Sequence, residues 1–194
     1  MLVSEKVLNK KFYNIEFEEK VLSIGRVVKV VKGGRIFSFS VLVVIGNKNS
    51  CFGIGLGKSS EINDARKKAI NNAKKNLYQI VLTKDKTIPH VVSAKRGSTS
   101  VIIRPAQIGR GIIAGGAMRT ILKCLGVNDV VAKCVGSSNV YNLSYATIDA
   151  LLKLKSQKYY YNLQKKGNKN LDFNNSELVD NDEGDIENSD NISE

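Results

Sequence analysis

Polar and apolar positions change rhythm several times along this chain, and each change marks an element. Residues 1–20 are polar and charged, with only weak helical periodicity. Residues 21–31 are rich in Val and Ile and alternate loosely. From 37 to 45 one parity is wholly apolar, with Phe37, Phe39, Val41, Val43 and Ile45. A period of two predicts a strand with one buried face. Ser38 and Ser40 hold the opposite parity, but Leu42 and Val44 continue it, so burial on both faces is expected farther along. A third strand over 51–57 sets Phe52, Ile54 and Leu56 against Gly53, Gly55 and Gly57. A glycine face lets another backbone or a partner come close. Gly33-Gly34 between the first two strands is a hairpin signal, because both central residues can take positive φ. Residues 47–50 read as a second turn.

The period then lengthens. Ile62, Ala65, Ala69, Ile70, Ala73, Leu77 and Ile80 recur at three- and four-residue spacing, which predicts a helix over 61–81 capped by Ser59 or Ser60. Strands and helix make a β-β-β-α unit. Beyond a polar stretch holding the first of only two prolines come strands at 90–94 and 99–104 and a glycine loop at 109–111. A helix over 114–125, stopped by Gly126, precedes a strand at 129–134 and a last helix over 140–155. The pattern therefore predicts an α+β fold of two small domains, a β-β-β-α unit over 16–82 and a β-β-α-β-α unit over 90–157, joined by a linker at 83–89. Residues 1–15 read as a flexible arm. Residues 165–194, mostly Asn, Asp and Glu, read as a disordered acidic tail.

Charge narrows the class of partner. The formal net charge is +12, but the nine acidic residues from 171 to 194 face no Lys or Arg there. Without that stretch, 30 basic residues stand against nine acidic ones, a net +21. Such a body repels itself unless a polyanion neutralises it, and nucleic acid is the usual one. A membrane surface is the rival, yet no basic amphipathic helix with bulky aromatics supports it. No apolar run approaches the roughly 20 residues that span a bilayer. Cys51, Cys124 and Cys134 lack metal-ligand spacing, and the last two sit in apolar stretches as small hydrophobes would. Their odd number and the lack of a signal peptide suit a reducing cytoplasm.

Enzyme motifs fit poorly. His90 is the only histidine, so most His-based metal sites are excluded and a Ser-His-Asp triad would rest on it alone. Gly53 to Ser59 has the lysine and serine of a phosphate loop, but Phe52 stands where the first glycine is needed. Gly109-Arg110-Gly111-Ile112-Ile113-Ala114 satisfies a dinucleotide fingerprint, with Asp129 some twenty residues on. It is the best enzyme reading, weakened by two strands with no helix between them and by the lack of a repeated βαβ half. The basic hairpin is different. Lys29 and Lys32 differ by an odd number and cannot share a face by strict alternation, although a twisted tip could gather Lys29, Lys32 and Arg35 into a basic finger. The alternative is an ordinary solvated hairpin.

The stretch EEKVLSIGRVVKVVKGGRIFSFSVLVVIGNKNSCFGIGLG resembles the first domain of the family of the fifth protein of the bacterial small ribosomal subunit. RPAQIGRGIIAGGAMRTILKCLGVNDVVAKCVGSSN followed by ATIDAL resembles its second domain, and the likeness covers about residues 16–155. The resemblance implies a first domain similar to a double-stranded-RNA-binding fold and a second, small α/β domain. It implies no catalysis, no cofactor, no metal, no small-molecule substrate and no membrane. The expected partners are small-subunit rRNA, mRNA where it enters the subunit, and the fourth and eighth small-subunit ribosomal proteins. The expected role is in assembly and translational accuracy. The expected place is the cytoplasmic ribosome, with an organellar one as the alternative.

Residue by residue, Arg26, Lys29, Lys32, Gly33, Gly34 and Arg35 match the family loop that reaches rRNA near the spectinomycin site. Gly111 and Arg119 match positions near the contact with the fourth protein. Lys48, Lys58 and Arg104 are expected to add phosphate contacts, with RNA bound by shape more than by base readout. The chain departs from the family pattern at Gly25, Val28, residues 107–110 and Val140.

Overall fold

The computed structural model describes residues 5–7, 16–156 and 158–164. The expected tail at 165–194, and all of the expected arm except residues 5–7, lie outside them. Nine strands and three helices follow one another as β1 (Glu5–Val7), β2 (Glu18–Val31), β3 (Gly34–Gly46), β4 (Cys51–Ser59), α1 (Ile62–Lys75), β5 (Leu77–Gln79), β6 (Val92–Arg96), β7 (Thr99–Pro105), β8 (Ile112–Ile113), α2 (Gly116–Leu125), β9 (Val130–Gly136) and α3 (Val140–Leu152) among the described residues. The first five strands form an antiparallel sheet in the order β1-β5-β4-β3-β2, and the other four form a sheet in the order β6-β7-β9-β8. Among the described residues only β8 and β9 run parallel, joined through α2. The fold is mixed α+β. Residues 158–164 form a helical segment in a separate unit, where the rings of Tyr159 and Tyr160 meet edge-on.

Several boundaries differ from the expected ones, for identifiable reasons. β2 begins at Glu18, three residues before the strand expected from 21, and Glu5–Val7, within the expected arm, is a strand on β5. The alternation in β2 is loose because a bulge interrupts the register between Val21 and Ser23. α1 ends at Lys75, six residues early, and Glu61 occupies its N-cap without a side-chain hydrogen bond, so neither serine caps it. Leu77–Gln79 pairs with the start of β4 instead of continuing the helix. A strand edge at β4 offers these residues backbone partners that outweigh their helical spacing. Residues 112–113, between the expected glycine loop and the expected helix, form β8.

The glycines of β4 explain how α1 is seated. A Cβ on Gly55 would run into the Ala69 carbonyl and the Ala73 amide, and one on Gly57 into the Ala65 carbonyl. The residues that α1 buries are Ala65, Ala69 and Ala73. Small side chains on the helix and none on the strand let the two backbones approach directly. Of the two readings for the glycine face, a neighbouring backbone is the right one. Val41, Val43, Ile45, Cys51 and Leu77 complete this thin core.

The other face of the same sheet enters a larger core. Leu42, Val44, Phe52 and Ile54 pack in one cluster with Ile80, Ile88 and residues of the second sheet and its helices, such as Ile103, Ile121 and Leu151. Val41 to Ile45 are consequently buried on both faces. Backbone bonds stitch the halves at the turn between β3 and β4. The Lys48 and Ser50 amides donate to the Cys124 and Leu125 carbonyls at the end of α2, each at 3.1 Å. Gly126 ends α2 with φ 87°, and its Cα rests against the Lys48 carbonyl, where no side chain fits. Residues 83–89, expected as a linker, are also tied down. The Thr87 hydroxyl donates to the Asp129 carbonyl at 2.6 Å, and Ile88 is buried.

Candidate nucleic-acid interface

β3 pairs with β4 only as far as Phe39, opposite Ser59. β2 and β3 continue together from Arg26↔Phe39 out to Val31↔Gly34. The hairpin therefore outruns the sheet by five residue steps, roughly 17 Å at the usual strand rise. This free ribbon is apolar as well as basic. Val28, Val30, Val31, Ile36 and Phe37 are all exposed, Val30 by 75%. A two-stranded ribbon is marginal in water by itself, and grouped exposed apolar side chains mark a contact surface. One internal support is visible: the Arg26 guanidinium lies 4.0 Å from the centre of the Phe37 ring.

Strand pairing assigns the cations to faces, since cross-strand partners point the same way. Arg26, Val28 and Val30 share a face with Phe39, Phe37 and Arg35, while Lys29 and Ile36 point to the other. Lys32 and Gly33 are the two turn residues. Lys29 and Arg35 thus point to opposite faces with Lys32 in the turn between them, so the charges surround the tip. The turn is also shifted from the expected Gly33-Gly34 pair. Gly34 opens β3 with φ 144°, whereas Gly33 is not at positive φ. A Cβ on either would meet nothing within 4 Å, so the tip is open to close approach.

The remaining expected contacts lie elsewhere. Lys48 sits in the β3–β4 turn, at the opposite end of the sheet from the tip, and pairs with Glu18 at 2.9 Å. That hydrogen bond, with another from Lys20, holds the Glu18 carboxyl below its ordinary value, and Glu18 in turn raises the Lys48 ammonium. Lys58 is exposed near the end of β4, beside Ser40. Arg104 is exposed on the second sheet. The Gly111 amide donates to Asp129 Oδ1 at 2.7 Å, with Gly111 at φ 74°. Arg119 lines an open cleft of about 560 Å³ with Lys48, Lys86, Lys123 and Asn128. Lys86 and Lys123 sit far apart in sequence and come together only in this cleft.

The enzyme look-alikes lose their geometry here. In the dinucleotide fingerprint the glycines should follow a strand of the parallel unit; here they precede β8, and Asp129 clamps their loop. The stretch resembling a phosphate loop is the middle of β4, covered by α1. Burial pushes the thiols of Cys51 and Cys124 up to about 11, so neither is a nucleophile near neutrality. No helix among the described residues is long and apolar enough to cross a membrane.

Comparison with known proteins follows the same division of the chain. The family model for the N-terminal domain of ribosomal protein S5 matches residues 17–81, and that for its C-terminal domain matches residues 94–166. A small ribosomal subunit protein uS5 from Ehrlichia canis (strain Jake) is 50% identical over 147 residues, covering 76% of this chain and 84% of that protein. The protein of that name from Bacteroides thetaiotaomicron is 49% identical over 142 residues, 73% of this chain and 82% of its own. A small ribosomal subunit protein uS5c from Rhodomonas salina is 46% identical over 141 residues, 73% of this chain and 84% of its own.

Proposed function

The chain belongs to the ribosomal protein S5 family, structural proteins of the small ribosomal subunit rather than enzymes, and on that premise we propose that its projecting hairpin is the principal contact with small-subunit rRNA. The observation that carries this is the ribbon beyond Phe39, exposed on both faces and ringed by Arg26, Lys29, Lys32 and Arg35. Apolar side chains and open glycine backbone let it enter an RNA groove closely, while the cations neutralise phosphates on either side. Lys58 and Arg104 add to the positive field. Lys48, already paired with Glu18, contributes less. Residues 16–82 act as the half similar to a double-stranded-RNA-binding domain, 83–89 as the connector, and 90–157 as the α/β half. Gly111 and Arg119 belong to the surface for a protein neighbour, the fourth small-subunit protein, with the eighth also adjacent. In that position the protein supports subunit assembly, mRNA entering the subunit and accurate decoding.

Replacing Lys29, Lys32 and Arg35 together by Ala is the direct test. Binding to a small-subunit rRNA transcript should weaken, and the slope of log K against log salt should flatten by about 2, at roughly 0.7 per lost phosphate contact. The unfolding midpoint should hardly move, since all three side chains are exposed. An unchanged slope removes the hairpin from the contacts. Failure of the wild-type chain to sediment with small subunits on a sucrose gradient would instead favour a free RNA-binding regulator.

A further inference from the structure

The turn between β3 and β4, the segment around residue 86 and α2 are distant in sequence, yet each sends cations to the cleft of about 560 Å³. Arg119 and Lys123 stand four residues apart on α2 and so share a helix face. Lys48 and Lys86 arrive from the other two segments. Asn128 adds an amide, and the partly exposed Ile112 gives the wall an apolar stretch. The lining holds no carboxylate. Lys48 is paired with Glu18, whereas Lys86, Arg119 and Lys123 form no ion pair among the described residues.

The cleft is built rigidly, and its backbone is strained. Among the described residues only Lys48, Ser50 and Lys86 take positive φ without being glycine, at 57°, 68° and 53°. Glycine would sit at these positions with less strain, yet two of them carry lysines that line the cleft. Strain of this kind persists where neighbours over-determine the backbone, and it gathers at binding sites. Here the Lys86 amide donates to the Thr83 carbonyl at 3.1 Å, and the Lys86 carbonyl accepts from the Asn128 amide at 2.9 Å. The Lys48 amide is held by Cys124. The last four carbonyls of α2, from Leu122 to Leu125, all accept backbone amides, those of Val127, Gly126, Lys48 and Ser50. The negative end of the helix dipole is therefore capped, and an incoming anion meets Arg119 and Lys123 instead of bare carbonyls.

The volume is that of a small-molecule site, and clustered cations with no carboxylate beside them select a compact polyanion. A lone carboxylate would leave most of these charges unmatched, whereas a phosphate chain sets several negative charges close together. We propose that this cleft binds a nucleoside di- or triphosphate through its phosphate chain, held by Lys86, Arg119 and Lys123 with the nucleoside toward Ile112. The site binds and does not react, since its lining has neither a carboxylate nor a histidine to act as a base. Arg119 also belongs to the surface proposed for a protein neighbour, so this is a site of the chain before assembly. It does not depend on the rRNA reading.

The test uses the full chain, freed of RNA, in roughly 0.15 M salt, where diffuse attraction to its surplus charge is screened beyond about 8 Å. Methylanthraniloyl-ATP should bind saturably at a single site per chain. Inorganic triphosphate should displace it, and adenosine should not. Lys86→Gly with Lys123→Ala should lower the affinity about tenfold or more, because two charge-assisted contacts are lost. The same variant should unfold at nearly the wild-type midpoint, since Lys86→Gly relieves a strained φ and both side chains are exposed. Replacing Lys29, Lys32 and Arg35 by Ala should leave nucleotide affinity unchanged while rRNA affinity drops, so the two readings fail separately. Binding that never saturates, that falls equally in the hairpin variant, or that adenosine displaces as well as triphosphate does would overturn the proposal. So would a cleft variant that loses a protein neighbour from assembled particles while the wild-type chain binds no nucleotide.

Discussion

The two ends of β3 obey opposite rules although the strand is continuous. From Val41 to Ile45 every residue is buried, between α1 on one side and the second half of the protein on the other. From Gly34 to Phe37 every residue is exposed, with only β2 beside it. Glycine makes the contrast sharp. Gly55 and Gly57 are required because a helix backbone occupies the space of their Cβ atoms, whereas Gly33 and Gly34 face nothing within 4 Å. The buried end builds the platform, and among the described residues the exposed end has only the Arg26 guanidinium over the Phe37 ring to cover its apolar side chains. A strand kept apolar where the described residues offer so little cover fits the proposed role of a contact surface.

Substitutions should separate the two ends by size of effect. Gly55→Ala should be the most damaging, lowering unfolding stability by about 3 kcal/mol or more in urea, because the helix must lift off the sheet. A neutral outcome would mean that α1 is not seated on the glycine face. The buried thiols come next. Cys51 and Cys124 are raised to about 11, above the free value of 9.0. A group raised on folding favours the folded state below its unfolded value and loses that contribution as pH rises. Stability should therefore fall between about pH 9 and 11, and substitution of both cysteines by Ala should remove that component of the alkaline transition.

Smaller effects are expected at the open end. Gly34→Ala should cost about 1 kcal/mol through its positive φ, while Gly33→Ala should stay within about 0.5 kcal/mol. Equal costs would contradict the position of the turn. Least of all, the exposed Glu18–Lys48 pair should contribute a slight loss of stability as pH falls through the carboxylate range. The sign follows from a Glu18 carboxyl depressed on folding, which helps above its unfolded value and ceases to help as it protonates. Glu18→Gln should abolish that slope, detectable as a flatter melting temperature against pH.

Much of the candidate surface was legible one residue at a time, and little of it as an arrangement. Arg26 to Arg35 announced a basic hairpin because strand alternation and a glycine pair are local signals. Their division between faces needed the register, which depends on where β2 bulges and where the turn falls. Lys48 looked like a free cation until Glu18, thirty positions earlier, was found beside it. Asp129, which had the spacing of a dinucleotide fingerprint, has its carboxylate on the Gly111 amide.

The amino-acid pattern by itself determined the α+β class, six of the nine described strands, the C-terminal stop of α2 at Gly126 and the excess of positive charge. These follow from short-range periodicity, backbone freedom and summed charge, none of which requires distant contacts. Tertiary structure alone decided that α1 stops at Lys75 so that β5 can pair, that both halves share one core, and that the hairpin leaves the sheet at Phe39. Each of these turns on which distant backbone or side chain competes for the same hydrogen bonds and the same space.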